Sequence, residues 1–463
     1  MKSGKYLIFV FVFFVILCFF SRNIPLFWDV VFYAREGYLL YEKGLSNLIN
    51  PFDAAFPFYS LYLDLAWKLF GRTLHVSHFV MLPFTLWMVW EYYKLSKMIL
   101  QERMMIFALL LLVFDPVIVT QIILIAYDII LLCFFLFSLN ALLRNKRKLY
   151  SFGLFLLILS NIRGIIWVGA LFIFDIIREL CICEKKSFKF RYLFNYFPAG
   201  VALIIWKLWH YKITGWYMMP PENKIVWAFA KGMMILRQFI YIIKVNFDNG
   251  RVFLWIGLFA GLIYYFRRKE IKNKLFNELL LALLIIYAFS SLFLMLFMNP
   301  ISHRYFLPVL VVLSICVAYV LQFIKSNKVR IITGLFFISM LFAGNFWLYP
   351  EKYGNGWDTS LKCLSYFEIR DKMYDYINEN KINPLETGTL FPLYENIRYT
   401  DLVDKDFQLT NMEGKSLKDF NYVVQSNISN AFSENEINEL NNNWLKVVEF
   451  RKGQVYIKLF KKL

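Results

Sequence analysis

Five ionisable side chains stand out by type and by position: Asp29, Asp128, Arg163, His303 and Arg304. Each lies at the end of an apolar block, where lipid would give way to water, and they come from distant parts of the chain. A carboxylate held at that boundary is costly unless it has a task, and arginine on the external side runs against the tendency of basic residues to stay inside. Any one of them could be a lone ion pair in a helix bundle. As a set, two carboxylates and two guanidiniums on one membrane face are read as the working groups of a membrane enzyme. Asp29 leads the set. It lies in Phe27-Trp28-Asp29-Val30-Val31-Phe32-Tyr33-Ala34-Arg35-Glu36; if this stretch is helical, Asp29, Tyr33 and Glu36 share one face at i, i+4 and i+7.

The elements that must position these groups are membrane spans. The 463 residues are 59% hydrophobic and 20% aromatic, with a mean hydropathy of +0.51; a soluble protein of this size needs far more polar residues to cover its surface. The apolar residues come in blocks of roughly 17–22, the length that crosses a bilayer as a helix. The expected fold is an all-α polytopic membrane protein of about eleven transmembrane helices, multi-pass in the cell inner (plasma) membrane. A formal charge of +18 does not point to nucleic acid, because the basic residues form short clusters between apolar blocks, where the positive-inside rule places them. The partner they imply is the lipid bilayer.

The first span, residues 5–21, lacks a small-residue cleavage site and reads as a retained anchor with a cytoplasmic amino terminus. Residues 22–73 then form an external loop holding the Asp29 helix, a break at Asn50-Pro51, and an amphipathic stretch from Phe58 to Phe70 that stops at Gly71. Phe58, Tyr59, Tyr62 and Trp67 suit a helix lying in the interface plane. Spans follow at 74–93, 104–121, from Asp128, at 149–160, 164–178, 193–212, 251–266, 277–298, after Arg304, and at 331–348. Basic clusters fall between them on the inner side, at Lys94 to Arg103, Arg144 to Lys148, Arg178 to Arg191, Arg267-Arg268-Lys269 and Lys325 to Arg330. The pair at 149–178 is broken by Asn161-Ile162-Arg163-Gly164. The external segment after residue 212 carries Trp216, Pro220-Pro221 and another interfacial helix.

Residues 1–348 are therefore expected as the transmembrane domain, and residues 349–463 as a small extracytoplasmic α/β domain. In the latter, 359–379 has helical periodicity, Tyr422-Val423-Val424 and Val447 to Phe450 read as strands, and Arg451 to Gln454 turns into a strand from Val455. It has no nucleophile motif, glycine-rich phosphate loop or metal spacing, and reads as a cap or acceptor-binding module. Asn427-Ile428-Ser429 fits a glycosylation acceptor. All the cysteines except Cys363 lie in or beside spans, so no external disulfide framework is expected. Cys181 and Cys183 lack a second pair, and His75 and His78 lack a third ligand, for a zinc site.

These motifs resemble the multispanning type C glycosyltransferases, in the protein O-mannosyltransferase and aminoarabinose-transferase-like branch. The likeness covers residues 1 to about 345 and rests on the order of Asp29 with Tyr33, Phe56-Pro57-Phe58-Tyr59, Lys68-Leu69-Phe70-Gly71, Ala126-Tyr127-Asp128 and Arg304-Tyr305-Phe306-Leu307-Pro308. Val30 stands where the family often has a second acid, which removes one ligand of a paired-carboxylate metal site; a divalent cation is the one cofactor left open. The resemblance implies inverting transfer of a sugar from a polyprenyl-phosphate donor to a hydroxyl of a glycan, lipid or protein acceptor at the external face. In that reading Asp29 is the general base, and Arg163 and Arg304 are phosphate donors. Asp128 orients an arginine or holds a sugar hydroxyl, and Tyr33, His303 and Tyr305 line the substrate site. Two other classes compete. A lipid-linked glycan transporter or flippase would carry internal repeats, which are not seen. An O-antigen polymerase or ligase would place its key Arg and His groups in a large late loop.

Overall fold

The computed structural model describes residues 2–45, 48, 55–182, 190–217, 220, 228–267, 273–347, 357–428 and 432–463. The Asn50-Pro51 break, Cys183, Lys185, Lys186, Lys189, Pro221, Arg268, Lys269, Ser429 and the expected boundary at 348–349 fall outside the described residues. The helices in chain order are α1 (Lys2–Ser21), α2 (Asp29–Lys43), α3 (Phe58–Phe70), α4 (Leu74–Ser96), α5 (Glu102–Phe114), α6 (Pro116–Ile123), α7 (Asp128–Leu143), α8 (Arg147–Ser160) and α9 (Gly164–Ile177). They continue with α10 (Phe197–Thr214), α11 (Met233–Phe247), α12 (Val252–Arg267), α13 (Lys274–Met295), α14 (Leu307–Leu321), α15 (Asn327–Ala343), α16 (Leu364–Glu379), α17 (Ile397–Thr400) and α18 (Glu434–Asn443).

The apolar blocks read from the sequence are helical in the described residues. Among those residues four helices are long and apolar enough to cross a membrane, or up to six if two bent pairs each count as one, against the eleven expected. The bends are 59° between α5 and α6 and 83° between α11 and α12. Asp115-Pro116 makes the first: proline cannot continue a helix it does not start, and the Asp115 carboxylate caps α6 by accepting from the Val117 and Ile118 amides. The span containing α14 is 94% buried, against 28% for α1 and for α15, so α14 is the axis and the other two are lipid-facing. The α3 aromatics divide. Tyr59 and Trp67 are in the bundle core, not at an interface, because α3 packs between α2 and α4; Tyr59 donates to the Ile125 carbonyl at 2.9 Å. Gly71 does stop the helix, at φ +91° with its amide on the Trp67 carbonyl.

Two of the basic residues expected only to set topology are also structural. Arg147 pairs with Asp175 at 2.6 Å and Glu179 at 3.0 Å, and Arg178 pairs with Glu278 at 2.8 Å, all three acids being buried. They tie α8, α9 and α13 together at the end of the bundle away from Asp29.

The carboxyl-terminal part carries one five-stranded sheet of β1 (Thr387–Thr389), β2 (Thr410–Asn411), β3 (Tyr422–Ser426), β4 (Trp444–Lys452) and β5 (Val455–Lys462), in the order β2-β1-β3-β5-β4. The β4–β5 hairpin and β3 are where the sequence suggests them; β1 and β2 are too short to leave an alternation pattern. β1 is parallel to β2 and β3, while β5 runs antiparallel to both β3 and β4. Met373, Ile377, Val424, Ile457 and Leu459 form its core, and Phe27 and Leu124 of the helical part are buried in that same core.

Candidate functional site

Asp29 is the first residue of α2, where exposed backbone N–H groups favour a negative charge. It follows Trp28, held at φ +57°, a conformation costly for a bulky residue and sustained only by its surroundings. Those surroundings are Phe27 on one side and Phe391 of the carboxyl-terminal part on the other.

Arg304 lies in a 3₁₀ turn, His303–Phe306, directly ahead of α14. Its guanidinium meets three carboxylates. Nη2 donates to Asp29 Oδ2 at 2.5 Å, Nη1 is 3.9 Å from Asp128 Oδ2, and Nε is 3.2 Å from Asp358 Oδ2. Arg163, in the turn between α8 and α9, donates from Nη1 to Asp128 Oδ1 at 2.5 Å and from Nη2 to the Tyr127 hydroxyl at 2.7 Å. Because Tyr127 accepts there, its own proton is directed to Asp29 Oδ2, 3.3 Å away. Both bonds to Asp29 end on Oδ2, and Oδ1 has no partner among the described residues. Arg163 also lies 4.3 Å over the Tyr305 ring.

The turn that presents Arg163 is built by its neighbours. The Asn161 side chain accepts from the Arg163 amide at 2.9 Å and donates to the Tyr33 hydroxyl at 3.2 Å, so one residue shapes the turn and fixes Tyr33. Tyr33 packs edge-on against Tyr127, with ring centroids 4.6 Å apart. Glu36, expected on the Asp29 face, instead turns into the α2–α3 contact and accepts from Ser60. His303 is pinned through Nε2 to Asp248 at 2.9 Å.

A cavity of about 590 Å³ opens beside this network. Trp28, Asp29, His303, Arg304 and Tyr305 line it on one side; Met234, Arg237, Gln238, Tyr241 and Lys244 of α11 line the other; Trp357, Asp358 and Ile428 close it from the carboxyl-terminal part. Asp29 keeps 31% of its side chain exposed, while Arg304 keeps 3% and Asp128 1%. The groove therefore reaches Asp29 itself. Arg304 is not in a wet groove, as its place at a span end suggests, but buried among the acids. Burial raises the Asp358 carboxyl above its ordinary range, with Arg304 pulling the other way.

All seven residues read from the sequence thus adjoin one network, with Arg163 and Asp128 behind the cavity wall. Contributors not assigned a role there include Tyr127, Asn161, Asp248, Arg237, Lys244 and Asp358. Tyr127 stands beside Asp128 in a motif, and Arg237 lies in the segment read as an interfacial helix. Asp248 and Asp358 carry no local signal. His75 and His78 are elsewhere, bonded to Asn23 and to the Ile24 carbonyl. Among the described residues no group of three or more His, Cys, Asp or Glu side chains is placed to hold a metal.

No family model and no curated protein matches this chain. Among solved structures, ArnT from Cupriavidus metallidurans in the apo state shares 12% identity at a TM-score of 0.59, covering 99% of this chain and 98% of that one. The same protein bound to undecaprenyl phosphate shares 11% at a TM-score of 0.57, with 98% of each chain covered. At this identity the likeness is one of fold. It extends over 98–99% of this chain and 98% of the other.

Proposed function

We propose that this chain is a membrane glycosyltransferase that moves a sugar from a polyprenyl-phosphate donor to an acceptor hydroxyl at the external membrane face, with inversion. The observation that carries the proposal is Asp29: a carboxylate at a cavity edge, fixed through one oxygen by Arg304 and Tyr127, with the other oxygen unpartnered among the described residues. A general base needs that combination of fixed direction and open lone pairs. The full-length likeness to ArnT, one structure of which holds undecaprenyl phosphate, supports the donor class.

In this reading the acceptor hydroxyl attacks the anomeric carbon as Asp29 takes its proton, and the bond from that carbon to the phosphate oxygen breaks. The electron pair leaves with polyprenyl phosphate, whose developing charge needs fixed cations. Arg237 and Lys244 line the cavity wall facing Asp29 and can supply them, while Arg304 is held by its acids. Arg163 is committed to Asp128 and Tyr127, so its part is to hold Tyr127 on Asp29 rather than to grip phosphate. Residues 349–463 act as an extracytoplasmic cap over the site, and the amino terminus is cytoplasmic.

A transfer assay in nanodiscs, offering a panel of polyprenyl-phosphate sugars with candidate acceptors, tests this by following free polyprenyl phosphate. Wild type is expected to release it from one donor, and Asp29→Asn to lose about 10²–10⁴-fold in rate while remaining folded. Full activity in Asp29→Asn removes the base assignment; no release from any donor by folded wild type removes the donor class.

A further inference from the structure

The Arg304–Asp29 pair poses a problem for a base. Arginine prefers to grip a carboxylate with two parallel N–H bonds, which would occupy both oxygens. Here it does not. Arg304 touches Asp29 through Nη2 alone, and its Nε lies 3.2 Å from Asp358 Oδ2, an ion pair in which the N–H is not aligned for a hydrogen bond.

Asp358 is well placed to attract that side of the guanidinium. It sits in the 3₁₀ turn Trp357–Thr359, whose three residues are all buried. Its backbone carbonyl accepts from Gln121 of α6 at 2.5 Å, and the Trp357 indole donates to the Asn427 carbonyl at 2.5 Å. The turn is thus bonded to α6 through Asp358 and, through Trp357, to the residue that follows β3. Asp128 is already neutralised by Arg163, so Arg304 is divided between Asp29 and Asp358 rather than among three equal acids.

We infer that Asp358 is a positioning residue for the transfer reaction: its charge beside Nε of Arg304 draws that side of the guanidinium away from Asp29 and keeps it monodentate there, leaving Asp29 Oδ1 for the acceptor proton. The carboxyl-terminal part is then a working part of the site. For its chemistry the inference rests on the transfer reading above; for its geometry it does not. Loss of the Asp358 charge frees Arg304 to rotate and close both oxygens of Asp29.

The test uses the full chain in nanodiscs. Asp358→Asn, which keeps the shape, is expected to lower kcat about 10-fold or more with donor KM changed less than about 2-fold, and Asp358→Glu to recover part of kcat. A residue that only supports folding would lower the yield of active protein without this split. Independently of turnover, the melting-temperature losses of Asp358→Asn and Arg304→Lys are measured singly and together. The double variant is expected to lose less than the sum, as contacting residues do. Additive losses, or wild-type kcat in Asp358→Asn, overturn the inference. Non-additive losses in a protein that turns over no lipid-linked sugar would leave the clamp standing and remove the transfer reading instead.

Discussion

Arg304 shows how little a residue's distance from the membrane edge says about its surroundings. It precedes a span directly and reads from the sequence as an external, hydrated group. In the fold it is 3% exposed, with Asp29, Asp128 and Asp358 around it. Arg304→Ala therefore leaves Asp358 buried without its counter-charge, since Asp128 keeps Arg163 and Asp29 is part exposed, a change that typically costs about 3–5 kcal/mol. It is expected to lower the melting temperature markedly in detergent, and Arg304→Lys to do so less, since a lysine keeps the charge but not the fork. An unchanged melting temperature for Arg304→Ala would mean that Asp358 finds water. Lys362 gives a signed pH effect. Burial lowers its ammonium to about 8 from an ordinary 10.5, partly offset by Asp248. Between those values the unfolded chain holds a proton that the folded one does not, so this residue makes stability rise with pH from about 8 to about 10.5. A comparison of wild type with Lys362→Met by urea unfolding across that range should show the slope lost in the variant. The residues legible in the sequence were those whose type conflicts with their place, such as Arg163 and Arg304. Asp358 and Asp248 sit in polar stretches where an aspartate is unremarkable, and only the fold brings them to Arg304 and His303.

At the scale of elements, the two broken helices are joined at their breaks. Asp115, which starts α6 after the bend, accepts from Arg251 Nη2 at 2.7 Å and from Nε at 3.0 Å, and Arg251 stands just before α12 at the other bend. Arg251 is fully buried. The same carboxylate thus caps one helix and fixes the elbow of another. Gly250 at that elbow has φ +80°, and a Cβ there would fall 2.1 Å from the Met340 carbonyl oxygen. Asp115→Ala removes the cap and leaves a buried guanidinium unpaired, with an expected loss of about 3–5 kcal/mol. Asp115→Asn keeps a cap and should lose less. Because α11 forms one wall of the cavity, donor KM is expected to rise in Asp115→Asn even where the protein stays folded; an unchanged KM would show that the elbow does not set the position of α11. The break at Asn161 to Gly164 was visible because it interrupts an apolar run with polar residues. The Asp115-Pro116 bend was not, since the run of leucine, valine and isoleucine continues on both sides of it and hydropathy averages over the kink.

Across the whole molecule, the helical and sheet-bearing parts share a core, and residues of both line the cavity. Helix positions were legible because apolar block length is set by bilayer thickness; how the blocks pack was not, because side chains that look alike to hydropathy face lipid in α1 and protein in α14. The docking of the carboxyl-terminal part left still less trace, since it depends on single residues. Phe27 is the clearest of these. It is 1% exposed, and its ring packs against Tyr366 at 5.4 Å and Phe367 at 5.5 Å, two residues before Asp29. Truncating a buried phenylalanine costs about 3–5 kcal/mol. Here much of that loss falls on the contact between the two parts, because, besides its neighbour Trp28, the ring partners of Phe27 lie in α16. Phe27→Ala is therefore expected to expose the carboxyl-terminal part to limited proteolysis while the helical part stays protected. Transfer should fall with it, since Asp358 reaches Arg304 only when that part is seated. Phe27→Leu, which refills most of the volume, should restore both together. Proteolysis that increases without loss of transfer would mean that the bundle alone holds Arg304 in place, and the two parts would then be joined in structure but not in function.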